Sequence, residues 1–232
     1  MRRTAVLAGA LCIAGWTDAL AQRALTRVTG RIVILEKDNT PTPDLGDAVL
    51  YLDPPAGRTL EVASPVTVDI AITDKGYAPH VVVVPAGSTV RFPNHDPFNH
   101  NVFSTSEGNA FDLGLYGRGE TRTQTFSTPG LVRVYCNIHP RMVAYVMVMA
   151  NRYYAQPGAD GSFAIEGVPP GSGRYRLHVW HERIPAEVIK EITPGAGGPD
   201  LQIALNARGY RWQPHRNKYG RNYPTNAGRE RY

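Results

Sequence analysis

The residues best suited to chemistry sit in one short segment, Cys136-Asn137-Ile138-His139-Pro140-Arg141-Met142, spaced C-x2-H-x2-M. A thiolate, an imidazole and a thioether on one loop form a soft donor set suited to copper. So short a loop cannot surround a metal alone, and a further donor must come from elsewhere in the chain. Two histidines between Phe92 and Ser104, His95 and His100, compete for that role. His100 leads directly into Asn101-Val102-Phe103-Ser104, a strand-like run that would hold its backbone rigid, as a metal site requires. His95 lies in a turn flanked by Pro93 and Pro97 and is expected at the rim. Singly, each residue would be ordinary: a buried thiol, a loop histidine, a core methionine. The spacing carries the argument.

These donors need strands to position them. Val66, Val68, Ile70 and Ile72 alternate with Thr67, Asp69, Ala71 and Thr73, the period of a half-buried strand. Further strand-like runs follow at 81–84, 88–92, 101–104, 121–126, 131–135 and 143–149, with turn signals at 85–87, 112–114 and 128–130. Outside the N-terminal leader no long segment has a helical repeat, so the fold class is all-β and the architecture a β-sandwich. The run 131–135 delivers Cys136 to one end of that sandwich, and Pro140 favours a tight loop before the strand at 143–149.

On His80–Asn94, His100-Asn101-Val102 and Phe126–Cys136 the chain resembles the cupredoxins, the small blue copper proteins. The short loop with Pro140 straight after the histidine is similar to the amicyanin branch more than to the plastocyanin branch. The resemblance covers roughly Ser64 to Ala150. It implies a Greek-key sandwich with one type 1 copper ion held by His100, Cys136 and His139, and Met142 as weak axial ligand. It also implies that Asn101 ties the two ligand loops together. Asn137 and Ile138 stand where amicyanin has Thr and Pro, which bears on hydrogen bonding around the sulfur. The function implied is outer-sphere electron transfer with unidentified redox partner proteins and no catalysis. Copper enzymes with cupredoxin domains need additional histidines, and here Tyr135 and Asn137 flank Cys136, while His80, His95, His178, His181 and His215 form no H-x-H pair. Copper delivery without electron transfer is the alternative. In a loop flanked by Pro140, the imidazole edge of His139 is expected at the surface, beside Pro97 and Phe98.

The chain's 232 residues, 42% hydrophobic and 19% charged, suit a folded globular protein with one or two cores. Arg2 and Arg3, an apolar run from Ala5 to Ala14, and Ala19-Leu20-Ala21 have the layout of a signal peptide over 1–21, implying export to the periplasm. No run is long enough to span a bilayer. Cleavage would remove Cys12 and leave Cys136 as the one thiol in an oxidising compartment. The charge is concentrated in a tail over 206–232, where Arg208, Arg211, Arg216, Lys218, Arg221, Arg229 and Arg231 face Glu230 alone. The body is nearly neutral, which is no basis for nucleic-acid binding. The tail, rich in Tyr and Trp, reads as an arm wrapping the body, a docking element for an acidic partner or membrane surface, or a disordered end.

Segments 29–35 and 47–52, together with Asp160-Gly161-Ser162-Phe163 and Gly167-Val168-Pro169-Pro170-Gly171, resemble the carboxypeptidase regulatory-like, prealbumin-type β-sandwich. That resemblance implies one discontinuous domain, 25–63 plus 151–205, with the copper domain, 64–150, inserted in it or joined to it. The same arrangement resembles proteins described as methylamine-utilisation-like. Trp180-His181-Glu182 raises the question of a second metal or sugar site, though a strand end with mixed residues accounts for it more simply.

Overall fold

The computed structural model describes residues 26–37, 42, 44–170, 173–195 and 200–224. The expected leader, 1–21, and the tail beyond Pro224 lie outside the described residues. Two strands come first, β1 (Thr26–Leu35) and β2 (Val49–Asp53). Ten follow: β3 (Thr67–Asp69), β4 (Ala71–Thr73), β5 (Gly76–Ala78), β6 (Val81–Pro85), β7 (Ser88–Pro93), β8 (His100–Ser104), β9 (Phe111–Tyr116), β10 (Thr121–Phe126), β11 (Gly130–Cys136) and β12 (Val143–Met149). Five close the chain: β13 (Tyr154–Ala155), β14 (Ser162–Val168), β15 (Tyr175–Trp180), β16 (Val188–Ile192) and β17 (Leu201–Asn206). No helix among the described residues is long and apolar enough to cross a membrane.

The strands sort into two sandwiches. The central one packs the sheet β6-β12-β11-β8-β9 against β10-β7-β3, with the β4-β5 hairpin at its edge. Its core draws Ile70, Ile72, Val90, Phe92, Phe126, Val132 and Val146 from both layers. The flanking sandwich sets β14-β1-β17 against β13-β2-β15-β16, with its own core of Ile32, Ile34, Leu50, Leu52, Ile165, Tyr175 and Leu205. Strands from before and after the central sandwich thus share one core. A small cluster of Val49, Val81, Met147 and Met149 joins the two bodies, with Tyr51, Tyr145 and Trp180 packed around it.

Local chemistry sets these elements. In β1, Ile32 and Ile34 point inward while Arg31 and Val33 point outward, the alternation of a strand with one buried face. At Asp160-Gly161-Ser162, Gly161 takes φ +79° and a Cβ there would collide with the Ile32 carbonyl, so the turn requires glycine. The alternating run at 66–73 forms two short strands, because at Ile70 the pairing partner changes from β7 to β5. The turn expected at 112–114 is instead inside β9. Gly114 adopts φ +70° and donates its N–H to Asp112 Oδ1 (3.0 Å), a turn absorbed where the β8–β9 register shifts between Asn101 and Phe103.

Candidate metal centre

Strand register brings the donors together. Along β11, Val132, Val134 and Cys136 are buried while Arg133 is exposed, so the two-residue period places the thiol on the core face. Cys136 pairs with Val102 of β8, and His100, two residues before Val102, shares that face. The next residue continues the contact: Asn137 N–H donates to the Asn101 carbonyl at 2.9 Å. The loop then folds back, with Met142 N–H on the His139 carbonyl (3.1 Å) and Cys136 N–H on the Met142 carbonyl (3.4 Å).

The result is a compact trio. Cys136 Sγ lies 3.7 Å from His100 Nδ1 and 3.6 Å from His139 Nδ1. Donor atoms of all three residues fall within 4.8 Å of one another, and no other group of three His, Cys, Asp or Glu donors meets that test among the described residues. The Trp180-His181-Glu182 segment therefore forms no second metal site of this kind. A metal held at about 2.3 Å from sulfur and about 2.0 Å from nitrogen, the usual zinc lengths, with angles of about 110–120°, needs S···N separations of about 3.5–3.7 Å. The observed spacing fits a bound ion, and thiolate plus two imidazoles is a set that copper favours. Met142 is buried in the same core cluster as Cys136, and His95 is exposed.

Burial governs the electrostatics. It pushes the Cys136 thiol up from its ordinary range, opposed by backbone N–H groups of Asn101, Ile138 and His139 directed at the sulfur. It also holds His100 below its ordinary value, which favours the neutral ring that a metal needs, although Asp96 pulls the other way. The ring of Phe98 lies against both histidines, with centroids 5.5 Å from His100 and 5.9 Å from His139.

Two features at the site were not placed there by the sequence. Asp96, almost fully buried, places Oδ2 2.9 Å from His100 Nε2. The only sequence signal was a carboxylate four residues before a candidate ligand. The second is the tail, which runs over the ligand loop as a strap. Tyr223 donates its hydroxyl to the Cys136 carbonyl (2.9 Å), Lys218 N–H donates to Asn137 Oδ1 (3.0 Å), and His215 Nε2 approaches the His139 carbonyl (3.3 Å). The His215 ring stacks on Tyr135 at 4.3 Å, Lys218 pairs with Asp112 at 2.6 Å, and Arg141 lies over Trp212 at 5.0 Å. Of the three roles the sequence left open, an arm wrapping the body describes the strap up to Pro224. The surface edge expected of His139 is not found: the residue is half-buried and its Nε2 is buried. Asn101 joins the ligand loop through its backbone carbonyl, while its side-chain amide donates to Asp112 (2.6 Å) and to the Gly114 carbonyl (3.0 Å).

Residues 64–149 match the family model described as copper binding proteins, plastocyanin/azurin family. Among solved structures, the purple cupredoxin from Nitrosopumilus maritimus is 26% identical, covering 35% of this chain and 99% of that one, with a TM-score of 0.32. A reduced Cu(I) form of an amicyanin variant is 26% identical over 38% of this chain and 87% of that one, TM-score 0.34. A Cu-containing nitrite reductase from Thermus scotoductus SA-01 is 23% identical, covering 51% of this chain and 28% of that one, TM-score 0.35. No curated protein matches. The family match falls on the segment that forms the central sandwich and carries all three donors. The chain is an all-β protein whose residues 64–149 are similar to the copper-binding plastocyanin/azurin family and bring together three residues that could hold a metal ion.

Proposed function

We propose that the protein is an exported, mononuclear type 1 copper protein that carries single electrons between redox partners and catalyses no bond chemistry. The convergence of His100 Nδ1, Cys136 Sγ and His139 Nδ1 at one end of a cupredoxin sandwich carries the reading. Copper bound there supplies a one-electron Cu(II)/Cu(I) couple. The chain does the rest. The β8–β11 register fixes His100 and Cys136, the folded-back loop fixes His139, and Met142 closes the site as a weak axial ligand. Donors held this firmly by sheet and strap keep one arrangement in both oxidation states, which favours transfer over release. On this reading the flanking sandwich is one discontinuous domain. The strap, with exposed Arg211, Arg216 and Arg221, is a docking face for an acidic partner.

The visible spectrum of the Cu(II)-loaded protein tests this. An intense thiolate-to-copper band, bleached by mild reductant and restored on reoxidation, is the expected result. Cys136→Ser removes the band while circular dichroism shows the sandwich intact. Colour surviving in that variant would overturn the assignment. Copper leaving to a Cu(I) chelator at each reduction would favour delivery instead. Met142→Leu is expected to keep copper and colour and to raise the reduction potential, because an apolar axial position disfavours Cu(II) more than Cu(I).

A further inference from the structure

We infer that Asp96 is a positioning residue for the copper site: its buried carboxylate fixes the His100 ring with Nδ1 toward the sulfur and biases the site toward Cu(II). The inference rests on the copper reading above but concerns a residue that reading does not use.

The groups that hold this carboxylate are donors, or are set by the site to be donors. Oδ1 accepts the Asp74 N–H at 2.7 Å, and Oδ2 accepts the Lys75 N–H at 3.0 Å. These two backbone groups cannot act as acceptors. They belong to the β4–β5 turn, where Asp74 and Lys75 hold φ at +52° and +54°, a left-handed pair that presents both N–H groups on one side. Asp96 is pinned from its own loop as well: its N–H donates to Asn94 Oδ1 (3.0 Å), and Asn94 Nδ2 donates to the Phe98 carbonyl (2.9 Å). The third contact of the carboxylate is His100 Nε2 at 2.9 Å. Because Nδ1 faces Cys136 Sγ, an ion binding there takes the Nδ1 lone pair, and the ring proton must reside on Nε2. Asp96 is placed to accept that proton's hydrogen bond.

Two consequences follow. The ring is held in one tautomer and one orientation before any metal arrives, which lowers the ordering cost of binding. A negative charge on the far side of the imidazole also makes the ligand nitrogen more basic and favours the more highly charged oxidation state. Against this stands Lys75, whose ammonium lies over the Phe98 ring at 5.0 Å and whose charge opposes a positive charge on His100.

The test compares Asp96→Asn and Asp96→Glu with the wild type. In the metal-free protein, long-range proton–nitrogen correlation of the His100 ring reads the tautomer without copper. The wild type and the Glu variant should show a single Nε2–H form, and the Asn variant a mixture or a weaker hydrogen bond. In the loaded protein, competition titrations should show Cu(II) affinity falling roughly 10–100-fold in Asp96→Asn, with a smaller loss for Cu(I). Each tenfold difference between the two losses is a rise of about 59 mV in potential, read by voltammetry. Asp96→Glu should restore most of both. An unchanged Cu(II)-to-Cu(I) affinity ratio in a folded Asp96→Asn variant, or an unchanged His100 ring signal, would overturn the inference. A wild type without a thiolate-to-copper band would overturn the copper reading instead, and the ring measurement would still decide whether Asp96 sets the tautomer.

Discussion

In the flanking sandwich the buried histidines turn to carboxylates; in the central one they turn to a thiol. His178 lies between Glu187 (2.8 Å from Nδ1) and Asp53 (3.2 Å from Nε2), with its ring stacked on Tyr51 at 4.6 Å. His181, almost fully buried and held below its ordinary range by that burial, faces Asp44 at 3.7 Å. Each has carboxylate partners, and among the described residues neither belongs to a group of three donors close enough to share an ion. His100 has a carboxylate too, but its other nitrogen points across a strand pair at a sulfur, and His139 meets the same sulfur from the loop. The two bodies have similar aliphatic cores and similar alternation. The difference teaches that a histidine count says little. What makes a site is strand register that aims several donors at one point.

That comparison is broken most severely through the cores. Phe92 in the central sandwich and Leu52 in the flanking one are both fully buried. Phe92→Ala should cost about 3–5 kcal/mol and Leu52→Ala about 2–5 kcal/mol. The site should feel only the first. Phe92 stands in β7, two positions before Asn94, whose side chain braces the loop carrying Asp96 and His100, and the Phe92 carbonyl accepts the Tyr116 hydroxyl at 3.0 Å. Calorimetry of both variants with absorbance of the thiolate band is the measurement. Equal loss of colour in both would mean that the two sandwiches act as one cooperative body.

A cut through the strap probes how far the flanking body reaches into the site. The strap begins where β17 ends, with Ala207 N–H on the Leu35 carbonyl (3.0 Å) and Tyr210 N–H on the Ala207 carbonyl (2.9 Å), and it finishes at the ligand loop. Deleting residues 210–232 removes the bonds from Tyr223 and Lys218 to Cys136 and Asn137, together with the His215–Tyr135 stack. At about 0.5–1.5 kcal/mol per net hydrogen bond, the central sandwich should lose about 2 kcal/mol. All four proposed ligands precede the cut, so the band should persist while copper passes to a chelator about tenfold faster or more. Electron exchange with ferricyanide, an anionic probe, should slow as the exposed arginines are lost. Unchanged chelation and exchange rates would reduce the strap to a decoration.

Much of the site was legible because its signals are local. Cys136, His139 and Met142 fall within one loop, and the alternation of Val132 and Val134 with Arg133 already sets the inward face. His100 could be preferred to His95 because a strand follows it directly. The strap and Asp96 could not be read in the same way. The contacts Tyr223–Cys136 and Lys218–Asn137 span 87 and 81 residues, and a basic aromatic tail looks the same in sequence whether docked or free. Asp96 acquires its role from the Asp74–Lys75 turn, 22 residues upstream, which no periodicity announces. The surface position expected of His139 failed for a related reason: loop length predicts how a loop folds, not what lies against it.

The smallest expected effect lies at the joint between the two bodies. His80, just before β6, meets Glu182, just after β15, with Nε2 and Oε1 3.0 Å apart, and Glu182 is also held by Tyr145. Burial lowers the His80 value, but the hydrogen bond and charge of Glu182 outweigh it and leave His80 above its ordinary 6.5. Burial likewise raises Glu182, and the His80 contact outweighs that, leaving it below its ordinary 4.5. A histidine raised on folding stabilises fully below its unfolded value, and that contribution is lost as pH rises through the folded value. A carboxylate lowered on folding stabilises above its unfolded value and loses the contribution as pH falls through the folded one. The pair therefore contributes most between about pH 4.5 and 6.5 and fades above that window as His80 deprotonates. Asp47, its carboxyl raised by burial, also faces His80. The two side chains are 29% and 14% exposed. Solvent screening at that exposure limits the effect to about 1 kcal/mol. Melting temperatures taken from pH 6 to pH 8 should fall in the wild type and stay nearly level in Glu182→Gln. Parallel curves would show that the apolar cluster of Val49, Val81, Met147 and Met149 holds the joint without help from the ion pair.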